Sequence, residues 1–98
     1  MNNTITIDTK INISTDKIIE ELEDIVYFFP LDFKKQSYVC NCAITGTPFY
    51  FYHYITSKKI ELQPKMDKVP QSVIDHINGI VDKIYKQSQF WDKRLNKG

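Results

Sequence analysis

Between residues 4 and 14 apolar and polar positions alternate without a break. Ile5, Ile7, Thr9, Ile11 and Ile13 share one side, and Thr4, Thr6, Asp8, Lys10 and Asn12 share the other. Period two predicts a strand with one buried face, or a hairpin broken near Asp8-Thr9. From Asp16 the period lengthens. Ile18, Ile19, Leu22, Ile25, Val26 and Phe29 trace the stripe of an amphipathic helix. Ser14, Thr15 or Asp16 can cap its start, and Pro30 stops it. Its other side carries Glu20, Glu23, Asp24 and Tyr27.

Period two returns over residues 37 to 45, with Tyr38, Cys40, Cys42 and Ile44 on one face. Thr45-Gly46-Thr47-Pro48 reads as a turn, and a run of rings and branched side chains follows from Phe49 to Ile55. Thr56-Ser57-Lys58-Lys59 makes a second reversal into Ile60-Glu61-Leu62-Gln63, closed by Pro64. Pro70 suits the first turn of a last helix. There Val73, Ile74, Ile77, Ile80, Val81, Ile84 and Trp91 fall on one stripe, with Gly79 opposite. The charged end beyond about Leu95 is expected to fray.

The element order read this way is β-α-β-β-β-α. Helices and strands that are each apolar on one side bury that side most simply in two layers. The chain is therefore expected to be an α+β two-layer sandwich, an antiparallel sheet with two helices on one face. Its 98 residues suit one domain, ordered over about residues 4–95, and no repeat or linker divides it.

The seven residues Phe49-Tyr50-Phe51-Tyr52-His53-Tyr54-Ile55 carry the strongest signal. In an extended strand Phe49, Phe51, His53 and Ile55 share one face, while Tyr50, Tyr52 and Tyr54 share the other. With Gly46-Thr47 at the turn tip, the expected pairs are Ile44–Phe49, Ala43–Tyr50, Cys42–Phe51, Asn41–Tyr52, Cys40–His53 and Val39–Tyr54. The helices should then cover the Phe and Cys side. Three tyrosines beside Val39, Asn41 and Ala43 remain on the other. Tyrosine joins apolar area to a hydroxyl with few rotors, which suits a contact surface. The competing explanation is that these rings serve the sheet as cross-strand neighbours, or lie under the segment at residues 29 to 33.

Charge adds a polarity. Residues 1–32 hold seven acids against two bases, a net of −5, and residues 33–98 hold eleven bases against five acids, a net of +6. The pairs Lys34-Lys35 and Lys58-Lys59 belong to the basic part. Twelve lysines against one arginine equip the chain poorly for specific reading of nucleic acid, where arginine's planar fork does most of the work. No apolar run is long enough to cross a membrane, and no basic-then-apolar leader opens the chain, so a cytoplasmic protein is expected. The Asn-x-Thr/Ser matches at Asn2 and Asn12 then carry no weight.

Candidate chemistry is thin. Cys40 and Cys42, with His53 across the strand pair and His76 on the last helix, offer the donor types of a zinc site, but not the turn-borne Cys spacing of zinc ribbons or fingers. Packing as small apolar groups explains the same cysteines, so no metal and no cofactor is assigned. Cys40 with His53 is a conceivable nucleophilic dyad, yet both are expected in the core, where a thiol is inert. No glycine-rich phosphate loop exists, and an enzyme is not expected.

Residues 16–95, read as α-β-β-β-α, resemble double-stranded RNA-binding domains in element order alone. That family's basic cluster at the start of its second helix would fall on residues 69–75, where only Lys65 and Lys68 lie nearby. A sheet-borne tyrosine ladder also resembles the way RNA-recognition motifs stack bases, without their glycine-and-aromatic signature. Nucleic-acid or nucleotide binding through the ladder, with Lys58 and Lys59 on phosphates, is the alternative function.

The leading expectation is a small non-enzymatic protein-binding module that acts by occluding a surface, as an inhibitor, adaptor or immunity-type protein does. The Ile-, Lys- and Asn-rich composition suits a low-GC bacterium or its mobile elements. The partner-binding residues would be Tyr50, Tyr52, Tyr54, Asn41, Lys58 and Lys59, with Tyr27 and Phe90 as secondary candidates. A homodimer through the ladder or an exposed edge strand would use the same rings.

Overall fold

The computed structural model describes residues 3–32 and 36–96, with side chains described through residue 90. Its elements are β1 (Ile5–Asp8), α1 (Thr15–Leu22), β2 (Val26–Asp32), β3 (Ser37–Cys42), β4 (Pro48–Tyr54), β5 (Lys59–Pro64) and α2 (Gln71–Asn96). All five strands join one antiparallel sheet in the order β1-β5-β4-β3-β2. Both helices pack on the same side of it, so the α+β, two-layer expectation holds. The order of elements does not: a fourth strand stands between the helices, giving β-α-β-β-β-β-α. The resemblance to the α-β-β-β-α order of double-stranded RNA-binding domains falls with it.

The first alternating stretch breaks after Asp8. The Asp8 Oδ1 accepts from the Lys10 backbone N–H at 2.8 Å, and Ile11 N–H reaches back to the Thr9 carbonyl at 2.7 Å. These bonds hold Lys10 at a φ of 67°, a left-handed conformation that ends the strand. Thr9 is fully buried at the corner, its hydroxyl satisfied by the Ile11 carbonyl, and Ile13 drops into the core. Ser14 then caps α1, its hydroxyl accepting from Lys17 N–H at 3.2 Å.

Helix α1 stops at Leu22, far short of Pro30. Residues 25 to 31 form an unbroken apolar run that fits a helical stripe and a strand equally well. Valine and aromatic side chains favour the pleated surface, and the strand lets Val26 and Phe28 face the core opposite Cys42 and Cys40. The Ala43 N–H donates to the Ile25 carbonyl at 2.8 Å, with Val26 opposite Cys42. By the alternation of an antiparallel ladder, Tyr27 and Phe29 turn their backbone groups toward β3, and Val26, Phe28 and Pro30 turn theirs to the open edge. Pro30 thus sits where its missing N–H costs β3 nothing, as edge strands require of proline.

The β3–β4 register also differs from expectation. Cys40 faces Phe49, Val39 faces Tyr50, Tyr38 faces Phe51 and Ser37 faces Tyr52. The connection is the five-residue loop 43–47, closed by Cys42 N–H to the Thr47 carbonyl and Gly46 N–H to the Cys42 carbonyl, with Gly46 at a φ of 74°. Ile44, expected in the core, leaves the strand and is 72% exposed. The slip is an even number of positions, so every strand residue keeps its face.

The core lies between sheet and helices. Fully buried Phe49, Phe51, Cys40, Ile60 and Leu62 from the strands meet Ile18 and Leu22 of α1 and Val73 and Ile77 of α2. Phe28, Tyr38 and Phe51 make mutual edge-to-face contacts at 5.3 to 6.0 Å between ring centres. Most of the predicted α2 stripe is buried or half-buried, and Gly79 is open on the far side. Across the helix layer Glu21 accepts from Lys83 at 3.2 Å and pairs with Lys17 at 3.3 Å. These hydrogen bonds, Lys83 first, hold its carboxyl below the ordinary range. Phe33, Lys34, Lys35, Lys97 and the side chains of Trp91, Lys93 and Arg94 lie outside the described residues.

Phe51 touches both ring neighbours and the helix layer, and has no exposed surface. Phe51→Ala is expected to lower unfolding free energy by about 3–5 kcal/mol, measured by urea denaturation with an unchanged slope. Ile44→Ala should change it by less than about 0.5 kcal/mol.

Candidate functional site, an uncovered aromatic sheet face

The face turned away from the helices follows from the pairing. One row across the sheet runs Gln63, Tyr50, Val39 and Phe29. The next runs Thr6, Glu61, Tyr52 and Ser37. Asp8, Lys59 and Tyr54 form a third row, and Asn41 with Tyr27 a fourth. Strands β2, β3 and β4 thereby assemble Tyr27, Phe29, Val39, Tyr50, Tyr52 and Tyr54 into one apolar and phenolic surface. Tyr27 and Phe29 are 58% and 56% exposed, Tyr54 is 39% exposed, and Tyr50, Tyr52 and Val39 are half-buried.

The Tyr50 and Tyr52 rings lie 6.4 Å apart and tilted by 31°, side by side along one strand. Burial among these neighbours, reinforced by Tyr50, Tyr54 and Glu61, raises the Tyr52 hydroxyl above its ordinary pKa, so it stays a neutral donor and acceptor. Asn41 shares this face opposite Tyr27 and Pro48, not opposite Tyr52 as expected. Its Oδ1 is buried and has no hydrogen-bond partner among the described residues.

The two lysines differ. Lys59 lies on the face, its Nζ 5.4 Å from the centre of the Tyr54 ring and 3.7 Å from the Glu61 carboxylate. Lys58 occupies the β4–β5 turn at a φ of 58° and is exposed. At this end of β4 a hollow of about 560 Å³ is lined by Ser37, Tyr52, His53, Tyr54, Ile55 and Ser57 among others. Phe90 is 57% exposed on α2, in the helix layer, and is not brought to the face.

Phe29, Glu61 and Gln63 were not among the expected contact residues. Phe29 fits the helical stripe of the sequence, and only strand β2 carries it to the tyrosines. The dense aromatic and β-branched run from Val26 to Phe29 is the signal that could have found it.

The metal and dyad candidates are separated. Cys40 faces Phe49, so His53 is not its cross-strand neighbour, and the exposed His76 belongs to α2. Among the described residues no group of three or more potential ligands comes together. Burial pushes the Cys40 thiol well up. Cys42 is also raised by burial, but hydrogen bonds from Thr45 and Ile44 outweigh this and leave it below its ordinary value.

His53 instead serves the fold. It is 2% exposed, its Nδ1 is 2.6 Å from the Thr15 hydroxyl at the start of α1, and its Nε2 has no partner among the described residues. Burial lowers its pKa from 6.5 to about 4. Between those values the unfolded chain binds a proton that the folded chain refuses, so stability falls as pH drops through this window. The full loss across the window is expected to be on the order of 3 kcal/mol. Denaturation at pH 7.5, 5.5 and 4.5 measures it, and His53→Gln should flatten the dependence.

Comparison with known proteins finds no family model, no curated relative and no solved structure that matches the chain.

Proposed function

We propose that this chain is a small non-enzymatic protein-binding module that acts by occupying a partner's surface with its open sheet face. The observation that carries this reading is the aromatic surface on the side of the sheet the helices leave free, with Tyr27, Phe29 and Tyr54 exposed and Tyr50 and Tyr52 half-buried between them. Isolated exposed rings are ordinary, whereas a contiguous group spread over three strands marks an interaction site. Tyrosines at its centre, bordered on the β5 and β1 side by Gln63, Glu61, Lys59 and Asp8, give an apolar middle with a polar margin on that side, as protein interfaces have. Inhibitor, adaptor and immunity-type proteins work through such faces, with no catalytic group.

The second reading, nucleic acid or a nucleotide stacked on the tyrosines, is favoured by one feature, the lysine beside Tyr54. Glu61, which pairs with Lys59, and Asp8, its cross-strand neighbour, weigh against it, because both would repel phosphates.

Affinity capture on immobilised protein tests the proposal. Wild type is expected to retain a stoichiometric protein, and Tyr52→Ala to lose it while melting within a few degrees of wild type. Lys58→Glu with Lys59→Glu should leave that capture intact. Binding of single-stranded nucleic acid that weakens steeply with salt and vanishes in the double-glutamate variant would support the second reading and overturn the first.

A further inference from the structure

The β2 edge carries a pattern that fits its own copy. Val26, Phe28 and Pro30 present outward backbone groups: N–H and C=O from the first two, C=O alone from the proline. We infer that two copies of this chain pair antiparallel along β2, with Phe28 opposite Phe28 of the second copy at a two-fold axis.

This register is the one that pairs the whole regular segment from Val26 to Pro30, before the shift between Pro30 and Asp32. Phe28 and its copy exchange two hydrogen bonds. Val26 N–H reaches the Pro30 carbonyl of the second copy, and the symmetric bond repeats it. The only bonds forgone are those of the proline, at the ends of the segment and not at the axis. A two-fold set one position later, at Phe29, would place the missing proline N–H groups at its centre and lose both middle bonds.

The side chains agree with the backbone. Tyr27 falls opposite Phe29 of the second copy on the open face, at a pair without mutual hydrogen bonds, where side chains stand closest. Both rings are more than half exposed in the single chain, so the pairing buries two Tyr–Phe contacts. A hollow of about 310 Å³ lies along the same edge, lined by Ile19 of α1, Glu23 at its C-cap, and Val26, Tyr27, Phe28 and Phe29. Phe28 and Pro30 of the second copy arrive there. Asp24 and Asp32 lie beyond the paired segment at each end and approach their opposite numbers, which limits the affinity at low salt.

The backbone pairing stands on the strand edge; Tyr27 and Phe29 belong also to the surface of the proposed function, while Tyr50, Tyr52 and Tyr54 stay outside the seam. In the dimer the two sheets become one ten-stranded sheet, and the two ladders lie on the same side of it.

Sedimentation equilibrium from about 1 μM to 1 mM at about 0.15 M salt tests it. Wild type is expected to reach twice the 11.6 kDa of one chain, with slow amide exchange at Val26 and Phe28 in the dimer. Tyr27→Lys with Phe29→Lys places two cations on exposed edge positions, and should raise the dissociation constant at least tenfold and release both amides. Tyr52→Ala should leave the dimer intact, which separates this result from loss of the partner surface. A wild-type monomer up to about 1 mM would overturn the inference, as would a dimer whose Phe28 amide exchanges freely.

Discussion

Strand β4 is hydrogen-bonded on both sides, by β3 and by β5, and everything else in the molecule is arranged about its two faces. Because side chains alternate, Phe49, Phe51 and His53 enter the core and Tyr50, Tyr52 and Tyr54 are left outside. A slip of one residue against either neighbour would bury three phenols and expose two phenylalanines and a histidine. Phe49 and Phe51 have no exposed surface, so that exchange would forfeit several kcal/mol of apolar burial. The fold thus holds the tyrosines out by the same constraint that holds the phenylalanines in.

That constraint also explains the polar core. His53 falls on the buried side by parity alone, and Thr15, the first residue of α1, is placed to meet its Nδ1. One contact ties the central strand to the first helix. The unpartnered Nε2 is the cost of setting an imidazole there, and it makes acid a selective destabiliser of the helix-to-sheet contact. On the open face the polar tips of Gln63, Glu61, Lys59 and Asp8 sit toward the β5 and β1 side, and Asn41 carries the one buried side-chain oxygen of β3 without a partner among the described residues.

Much of this was legible in the residues. Alternation in the first strand, the helix stripe of α2 and the division of β4 into two faces all follow from period alone. What escaped were the places where two periods fit one segment. The run from Ile25 to Leu31 satisfies a helical stripe, and no glycine marks the helix end at Glu23, so Pro30 looked like the stop. Packing decided for a strand, since only the strand sets Phe28 against Tyr38 and Phe51. The β3–β4 register escaped because turn chemistry at Gly46 suits a two-residue or a five-residue connection. The faces survived that error because the slip was even, and the site survived with them. Its breadth did not: without β2 the ladder lacked Tyr27 and Phe29.

The central claim is that the tyrosines of β4 lie on a free surface while the ring of Tyr38, one strand away, is sealed beneath the helices. Tyrosine nitration at submicromolar protein concentration, read by peptide mass spectrometry, addresses it directly. The expected result is fast modification of Tyr54, slower modification of Tyr50 and Tyr52, and protection of Tyr38, which is 7% exposed. Protection of all three β4 tyrosines to the level of Tyr38 would contradict the account, because the face it describes would then be covered.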